Sequence, residues 1–350
     1  MMSIPFYRLK KKSLVLIYLT YPEIKKEILE DIRYKKLYQC ILKPSQITFK
    51  ELTLSEHTKP VWDLVKMNKT LIVSRGGDSI KIWDLISGKC INTITCVDFK
   101  EIYGVNPNIV KLSETKIATA YRGANIRIFD ITTSTLKCFP EIYYISGIIT
   151  YLCKLNKSQV ICANLDNSVM VYELDPWQCI KTLKRTDRTR RNDWPDNNGI
   201  TYTISIAILN ETQIVCGNTD NTITIWDLST VSCLKVLKNT YPVKKVIKIS
   251  KTQIVSASKD KSIKIWDITN GTCLKTIIGH DDQVNTVIMI SKTQLVSGSR
   301  DNSLKVWDII NGTCLRTLIG HTNTVTNVIM LGKFQIASAS CDYSIKIWDL

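Results

Sequence analysis

The chain has 350 residues, of which 44% are apolar, and its 47 Lys plus Arg against 31 Asp plus Glu give a formal net charge of +16. This composition allows a large buried core, and the positive charge is compatible with acidic partners of several kinds. No Cys-x-x-Cys pair is present and the three histidines are scattered, which excludes the usual zinc motifs. The apolar run at 13–21 is too short to span a bilayer. We therefore expect no metal, no cofactor and no membrane span.

Residues 1–45 do not resemble the rest of the chain, and we expect them to form an N-terminal extension. Thr20 is a candidate N-cap, and Pro22 suits the first turn of a helix. Apolar side chains then recur at helical spacing, at Ile24, Ile28, Leu29 and Ile32. The pattern predicts one amphipathic helix over about 22–37, whose apolar stripe must be buried on the rest of the protein or on a partner.

From residue 46 to residue 350, short runs rich in Ile, Val and Thr alternate with clusters of Asn, Asp, Ser and Gly, which is the pattern of an all-β domain. One set of residues recurs after 41 positions, because His280, Ser297, Asp301 and Trp307 are matched by His321, Ser338, Asp342 and Trp348. Such a period indicates stacked supersecondary units rather than separate domains. An aromatic residue followed by an acidic one closes each unit, and seven such pairs occur: Trp83-Asp84, Phe129-Asp130, Tyr172-Glu173, Trp226-Asp227, Trp266-Asp267, Trp307-Asp308 and Trp348-Asp349.

The Gly-His pairs at 279–280 and 320–321, the Ser-x-Ser-x-Asp turns and the closing Trp-Asp pairs resemble the WD-repeat family over residues 46–350. The resemblance implies a seven-bladed β-propeller of four-stranded antiparallel blades. It also implies a structural hydrogen-bond relay of His, Ser, Asp and Trp in each blade. Two sets are complete, and a third has a turn one residue shorter: His280, Ser297, Asp301, Trp307; His321, Ser338, Asp342, Trp348; and His57, Ser74, Asp78, Trp83.

The other repeats depart from this pattern. Asn239 stands in place of the histidine in the fifth, and Cys216 and Cys162 replace the serine in the fourth and third. Gly123 stands where the second repeat should have its Asp. We therefore expect the second and third blades to be the least stable.

The end of the chain predicts how the ring closes. Only Leu350 follows the last Trp-Asp pair, which leaves the seventh blade one strand short. Residues 46–54, QITFKELTL, precede His57 as CLRTL precedes His321. We expect 46–54 to pair with the last blade, because closure protects the open edge of the sheet.

Two residue types recur once per repeat. Cations stand two residues before the closing aromatic, at Lys81, Arg127, Lys264, Lys305 and Lys346, and are interpreted as a solvated belt. Cysteines follow the aromatic by seven residues, at Cys90, Cys179, Cys233, Cys273 and Cys314, and are interpreted as small buried hydrophobes. Because neighbouring equivalents are expected too far apart to form disulfides, we predict a reducing, intracellular and cytoplasmic location, with a nuclear one left open.

The residues that differ between repeats are the candidate partner-binding residues. Tyr172 and Trp226 are 54 positions apart because of the inserted polar run at 183–199. In the family, residues before the turn Asp and at the start of each inner strand line the rim of the central channel. By that resemblance, together with the insertion, the candidates are Trp62, Arg122, Arg188, Arg190, Arg191, Trp194, Tyr202, Lys244, Lys259 and Arg300. They suit an acidic or phosphorylated peptide, but a mixed surface whose partner is selected by shape is the favoured interpretation.

The leading hypothesis is a non-enzymatic, monomeric protein-interaction scaffold, because the Ser, His and Asp sets recur per blade and the relay already uses them. A second hypothesis is a ubiquitin-ligase adaptor, since YPEIKKEILEDI resembles the opening of an F-box at Pro22, Glu23, Ile24, Ile28 and Leu29, within residues 20–37. Nucleic-acid binding rests on charge alone and is disfavoured, because no base-reading module is present.

Overall fold

The computed structural model describes residues 52–77, 79–95, 108–121, 125–133, 136–138, 148–185 and 201–350. Within these residues 28 strands form seven four-stranded antiparallel sheets. The predicted all-β, seven-bladed propeller of four-stranded blades is therefore confirmed. The helix expected at 22–37 lies outside the described residues, as does the 46–51 part of the expected closing strand.

The blades share one strand order. The first, innermost strands are β2 (Val61–Lys66), β6 (Ile109–Lys111), β10 (Ile149–Lys154), β14 (Thr203–Ile208), β18 (Val243–Lys248), β22 (Val284–Met289) and β26 (Val325–Gly332). The second strands are β3 (Leu71–Gly76), β7 (Lys116–Tyr121), β11 (Gln159–Asn164), β15 (Gln213–Asn218), β19 (Gln253–Ser258), β23 (Gln294–Ser299) and β27 (Gln335–Ser340). The third strands are β4 (Ser79–Asp84), β8 (Asn125–Asp130), β12 (Val169–Leu174), β16 (Thr222–Asp227), β20 (Ile263–Asp267), β24 (Leu304–Asp308) and β28 (Ile345–Asp349). The outer strands are β5 (Lys89–Thr95), β9 (Leu136–Cys138), β13 (Trp177–Leu183), β17 (Ser232–Lys238), β21 (Thr272–Ile277), β25 (Thr313–Leu318) and β1 (Leu52–Leu54).

The core lies between the blades. One buried cluster joins Val255 and Ile263 of the fifth blade to Val284 and Trp307 of the sixth. The other clusters also combine residues of two neighbouring blades. Each closing aromatic therefore packs on the preceding blade, so a single repeat cannot bury its apolar surface alone.

The first and last strands of the described chain share one sheet. β1 pairs antiparallel with β28, with Leu52 opposite Ile347 and Leu54 opposite Ile345. Leu54 is 1% exposed and belongs to the cluster that contains Trp83 of the first blade. The seventh blade thus takes its outer strand from the other end of the described chain, and the ring has no open sheet at this seam.

The second blade has the shortest ladders. Its inner strand, Ile109–Lys111, and its outer strand, Leu136–Cys138, have three residues each. We therefore predict that backbone amides of the second and third blades exchange with solvent faster than those of the sixth and seventh, because the second blade has shorter ladders and both blades lack the complete set of relay residues. Native-state hydrogen exchange measures this directly. Slower exchange in the second and third blades would contradict the prediction.

The interpretation of the recurring strand cations as a solvated belt is wrong. Lys81 is 9% exposed and donates to Thr93 at 3.1 Å, directly across the ladder. Lys305 donates in the same way to Thr317 at 3.0 Å. Lys346 donates to Thr53 in the same way, so these three lysines form cross-strand pairs, whereas Lys264 bonds Asn239 and Asp260.

The interpretation of the recurring cysteines as buried residues is also wrong. Cys179, Cys233, Cys273 and Cys314 are exposed, and Cys90 is half-buried. They lie on outer strands, which have a neighbouring strand on only one side and bury mainly their last apolar residue, such as Leu318. Each thiol lies within hydrogen-bonding reach of the carbonyl two residues further along the chain.

Further cations join neighbouring blades. At the ends of four inner strands, an ammonium group donates to a backbone carbonyl of the preceding blade, from Lys66, Lys111, Lys154 and Lys248 to Leu331, Met67, Leu112 and Leu209. On outer strands Lys181, Lys235, Lys275 and Arg316 donate to carbonyls of the next blade. These eight cations therefore bind backbone carbonyls of neighbouring blades.

Candidate interaction surface

The described relay residues form continuous hydrogen-bond chains. In the sixth blade His280 Nδ1 lies 2.6 Å from Asp301 Oδ2, and its Nε2 lies 2.7 Å from Ser297 Oγ. Trp307 Nε1 donates to the same hydroxyl at 2.8 Å. Because the carboxylate can only accept, His280 donates a hydrogen bond from Nδ1 to Asp301. The same three contacts occur in the seventh blade at 2.7, 2.7 and 2.8 Å.

Burial by itself would raise the pKa of Asp301, but hydrogen bonds from His280 and Ser303 outweigh burial and hold that pKa well below its usual range. The pKa of Asp342 is lowered in the same way by His321 and Ser344. Gly279 lets the loop pass over the ring of Trp307, because a Cβ at this position would lie 3.0 Å from the ring. These groups are satisfied within the fold, so their chemistry is structural.

Other blades reach similar contacts with different residues. In the first blade His57 lies 2.6 Å from Ser74 and Trp83 donates to Ser74 at 2.8 Å, while Asp78 lies outside the described residues. In the fourth blade Arg185 forms an ion pair with Asp220 at 3.1 Å. In the fifth Lys264 bonds both Asn239 and Asp260.

The antiparallel strand order gives the ring two faces. The loops between blades and the turns between second and third strands form one face, which we call the upper face. The turns between first and second strands and between third and outer strands form the lower face. On the upper face the residue before each turn acid is bonded to the residue before the inner strand, as Lys259 N is to Pro242 O and Arg300 N is to Gln283 O. Cations of these turns therefore lie beside the channel mouth.

Three of the predicted partner-binding residues come together on the upper face of the fifth and sixth blades. Lys259 and Arg300 are exposed turn residues, and Lys244 is half-buried at a bulge in β18. Burial, and then the charges of Lys259 and Arg300, lower the pKa of Lys244. Within the described residues the Lys244 ammonium has no hydrogen bond or ion pair. The carboxylate oxygen Oδ2 of Asp282 lies 3.8 Å from Arg300 Nε. We call Lys244, Lys259 and Arg300 the cation cluster.

Two other predicted residues that the structure describes, Trp62 and Tyr202, make no polar contact with this cluster. Trp62 occupies the bulge of β2, the position equivalent to Lys244, and its indole N–H is buried without a partner in the described part of the chain. Tyr202 precedes β14 and is equivalent to Pro242 rather than to Lys244. The other candidates fall outside the described residues: Arg122, Arg188, Arg190, Arg191 and Trp194.

Sequence reasoning missed the buried polar residues of the inner strands. Asp63 accepts the N–H of Ile109 in the second blade at 2.7 Å and the side-chain amide of Asn327 in the seventh. Lys245 donates to Tyr151 at 3.0 Å, from the fifth blade to the third. The sequence signal for such buried polar residues is a single acidic or basic residue inside an otherwise apolar strand.

No set of three or more His, Cys, Asp or Glu side chains is placed to hold a metal ion in the part of the chain that the structure describes. Across the same residues, no helix has the length and apolarity needed to cross a membrane.

A ring of seven four-stranded antiparallel blades defines the class of β-propellers. The model of the family "WD domain, G-beta repeat" matches residues 231–267, 271–308 and 312–349. Each match begins near an outer strand and ends at the Trp-Asp pair of the following blade. The described chain is therefore a seven-bladed β-propeller whose residues 231–349 carry three WD repeats.

Two curated relatives share part of this region. Autophagy-related protein 16 of Arabidopsis thaliana is 25% identical over 198 residues, which cover 55% of this chain and 36% of that protein. Protein tipD of Dictyostelium discoideum is 26% identical over 198 residues, covering 54% and 29%. The match thus spans about a third of the length of these relatives. The crystal structure of the WD40 beta propeller domain of Doa1 superposes with a TM-score of 0.69 at 16% identity, covering 84% of this chain and 94% of that chain, and shares the fold.

Proposed function

We propose that this WD-repeat propeller is a non-enzymatic scaffold that binds an acidic or phosphorylated segment of a partner protein on its upper face. The observation that carries the proposal is the cation cluster. The charges of Lys259 and Arg300 disfavour the protonated form of the half-buried Lys244, and an anionic ligand would relieve that repulsion. Arg300 can bind a carboxylate or phosphate with two parallel hydrogen bonds.

The other lysine-rich parts of the ring are less suited to this role. The inner-strand and outer-strand cations already donate to carbonyls and threonines, as Lys154 does to Leu112 and Lys305 to Thr317. Partner binding is therefore proposed at the upper mouth rather than across the whole basic surface. The exposed thiols, such as Cys273 and Cys314, also support an intracellular location, because reducing compartments preserve free thiols. No described residue supports the F-box hypothesis, whose residues 20–37 lie outside the described ranges.

Charge reversal tests the proposal. In the full chain, Lys259→Glu with Arg300→Glu should weaken binding to acidic and phosphorylated peptides on a synthetic array by at least about 100-fold, because each charged hydrogen bond contributes about 1.5–3 kcal/mol. Both side chains are exposed, so the fold should be unaffected. Fluorescence titration of the strongest array peptides measures the loss.

Lys251→Glu with Lys292→Glu is the matched control. These lysines are exposed on the lower face of the same two blades, so the net charge changes equally. Equal losses in the two double variants would show a general charge effect. Equal affinity of the unaltered protein for acidic and uncharged peptides would also contradict the proposal.

A further inference from the structure

The upper face carries apolar side chains next to the cation cluster. Ile278 is 73% exposed and Ile319 is 79% exposed, each just after the buried end of an outer strand. The equivalent positions of other blades hold exposed polar residues, which are Ser55, Thr95, Lys184 and Lys238. Apolar residues at this position are therefore confined, among the described equivalents, to the loops on either side of the sixth blade.

The relays bring these isoleucines beside the turn residues. Ile278 is two residues from His280, which is bonded to Asp301, the residue after Arg300. Ile319 is two residues from His321, which is bonded to Asp342, the residue before Tyr343. Asn302 Nδ2 also reaches the Thr322 carbonyl at 3.5 Å and links the turn of the sixth blade to the loop that follows this blade. Ile278 and Ile319 thus lie on upper-face loops that the relays join to the turns carrying Arg300 and Tyr343.

Tyr343 supplies an independent observation. It is 45% exposed and has a φ of 71°, whereas the equivalent turn position is asparagine in the third, fourth and sixth blades, at Asn167, Asn221 and Asn302, and lysine in the fifth, at Lys261. Asparagine tolerates this left-handed conformation far better than a bulky aromatic residue. A ring kept in a strained, exposed position indicates a role outside the fold.

We infer that Ile278, Ile319 and Tyr343 form an apolar docking surface beside the cation cluster, which binds a peptide segment in which aliphatic or aromatic residues flank the acidic or phosphorylated residue. This inference rests on the proposed function, because the cluster supplies the charge complementarity that selects an acidic segment. Apolar contacts and a few oriented charges together give such a surface both affinity and specificity.

The test uses the full chain and an array of synthetic peptides. Each peptide carries a central phosphoserine, glutamate or serine, and flanking positions that are either isoleucine or serine. The unaltered protein should prefer acidic centres with isoleucine flanks. Ile278→Ser with Ile319→Ser should weaken binding to these peptides about ten-fold and leave the binding of acidic peptides with serine flanks unchanged. Tyr343→Asn should lower the same flank preference while raising the midpoint of thermal unfolding.

Ile86→Ser with Ile310→Ser is the matched control, because these isoleucines are 81% and 63% exposed on the lower face. If the Ile278→Ser, Ile319→Ser variant still prefers peptides with isoleucine flanks, the inference is wrong. The proposed function still holds in that case as long as the unaltered protein prefers acidic central residues. If the unaltered protein binds peptides with phosphoserine, glutamate and serine centres equally well, the proposed function is wrong. If light scattering shows a dimer that the Ile278→Ser and Ile319→Ser changes dissolve, and no flank preference exists, the surface binds a second copy and the inference is wrong.

Discussion

Replacing Leu54 with alanine should destabilise the protein by about 2–5 kcal/mol, because the side chain is 1% exposed in the seam between the last and first blades. β1 is joined to β28 by backbone pairing and by the Lys346 ammonium, which donates to Thr53 at 3.1 Å. No short chain connection tethers β1 to the blade that it completes. Weakening this contact should therefore open the ring and raise the unfolding rate.

Leu318→Ala is the matched control, because Leu318 pairs with Leu304 as Leu54 pairs with Ile345 and is 3% exposed. β25 follows β24 through a short turn and stays tethered when its packing is weakened. We expect a smaller rise in the unfolding rate, measured by urea-jump fluorescence. Equal rates in the two variants would show that the seam has no special role.

Deletion extends the same prediction. Removing residues 1–56 takes away β1 and should abolish soluble expression, because the third strand of the seventh blade would present an open edge. Removing residues 1–44 leaves β1 in place and should not. Insoluble protein from the shorter deletion would show that the closing segment extends further toward the start of the chain.

Asp63→Ala should cost about 3–5 kcal/mol, because the buried carboxylate receives donors from two neighbouring blades. The variant leaves the Ile109 N–H and the Asn327 amide without this acceptor. Ser205→Ala is the matched control, since Ser205 occupies the equivalent position and accepts the Val246 N–H at 3.1 Å with a neutral hydroxyl. This control should cost about 1 kcal/mol. Urea unfolding at pH 7 measures both, and equal costs would refute the prediction.

The Asp63 prediction also has a pH dependence. Burial raises the pKa of Asp63 to about 6, although the nearby charges of Lys245 and Arg75 and the backbone hydrogen bonds lower it in part. The folded protein therefore holds this proton more tightly than the unfolded chain, whose Asp pKa is about 3.9. The resulting stabilisation is full below about pH 4 and is lost as the pH rises through about 6, a change of about 3 kcal/mol. The stability deficit of Asp63→Ala should shrink by that amount between pH 4 and pH 7. A deficit independent of pH would be incompatible with this titration.

The number of blades and the closing strand could be predicted from the sequence because each depends on local repetition. A unit that buries its aromatic residue only on its neighbour must recur, and the position of 46–54 relative to His57 repeats that of an outer strand. Lys81 was predicted to be solvated and Cys273 to be buried, but Lys81 is buried and Cys273 is exposed. Both depend on which residue lies across the ladder and on which strand is outermost, and the spacing of one residue type reveals neither.

The sequence by itself determined the all-β class, the order of the seven blades and the residues that differ between them. Only the tertiary structure decided which of those residues act together. Lys244 and Arg300 are 56 positions apart and lie in different blades. They influence each other electrostatically only because the ring brings a bulge of one blade beside the turn of the next.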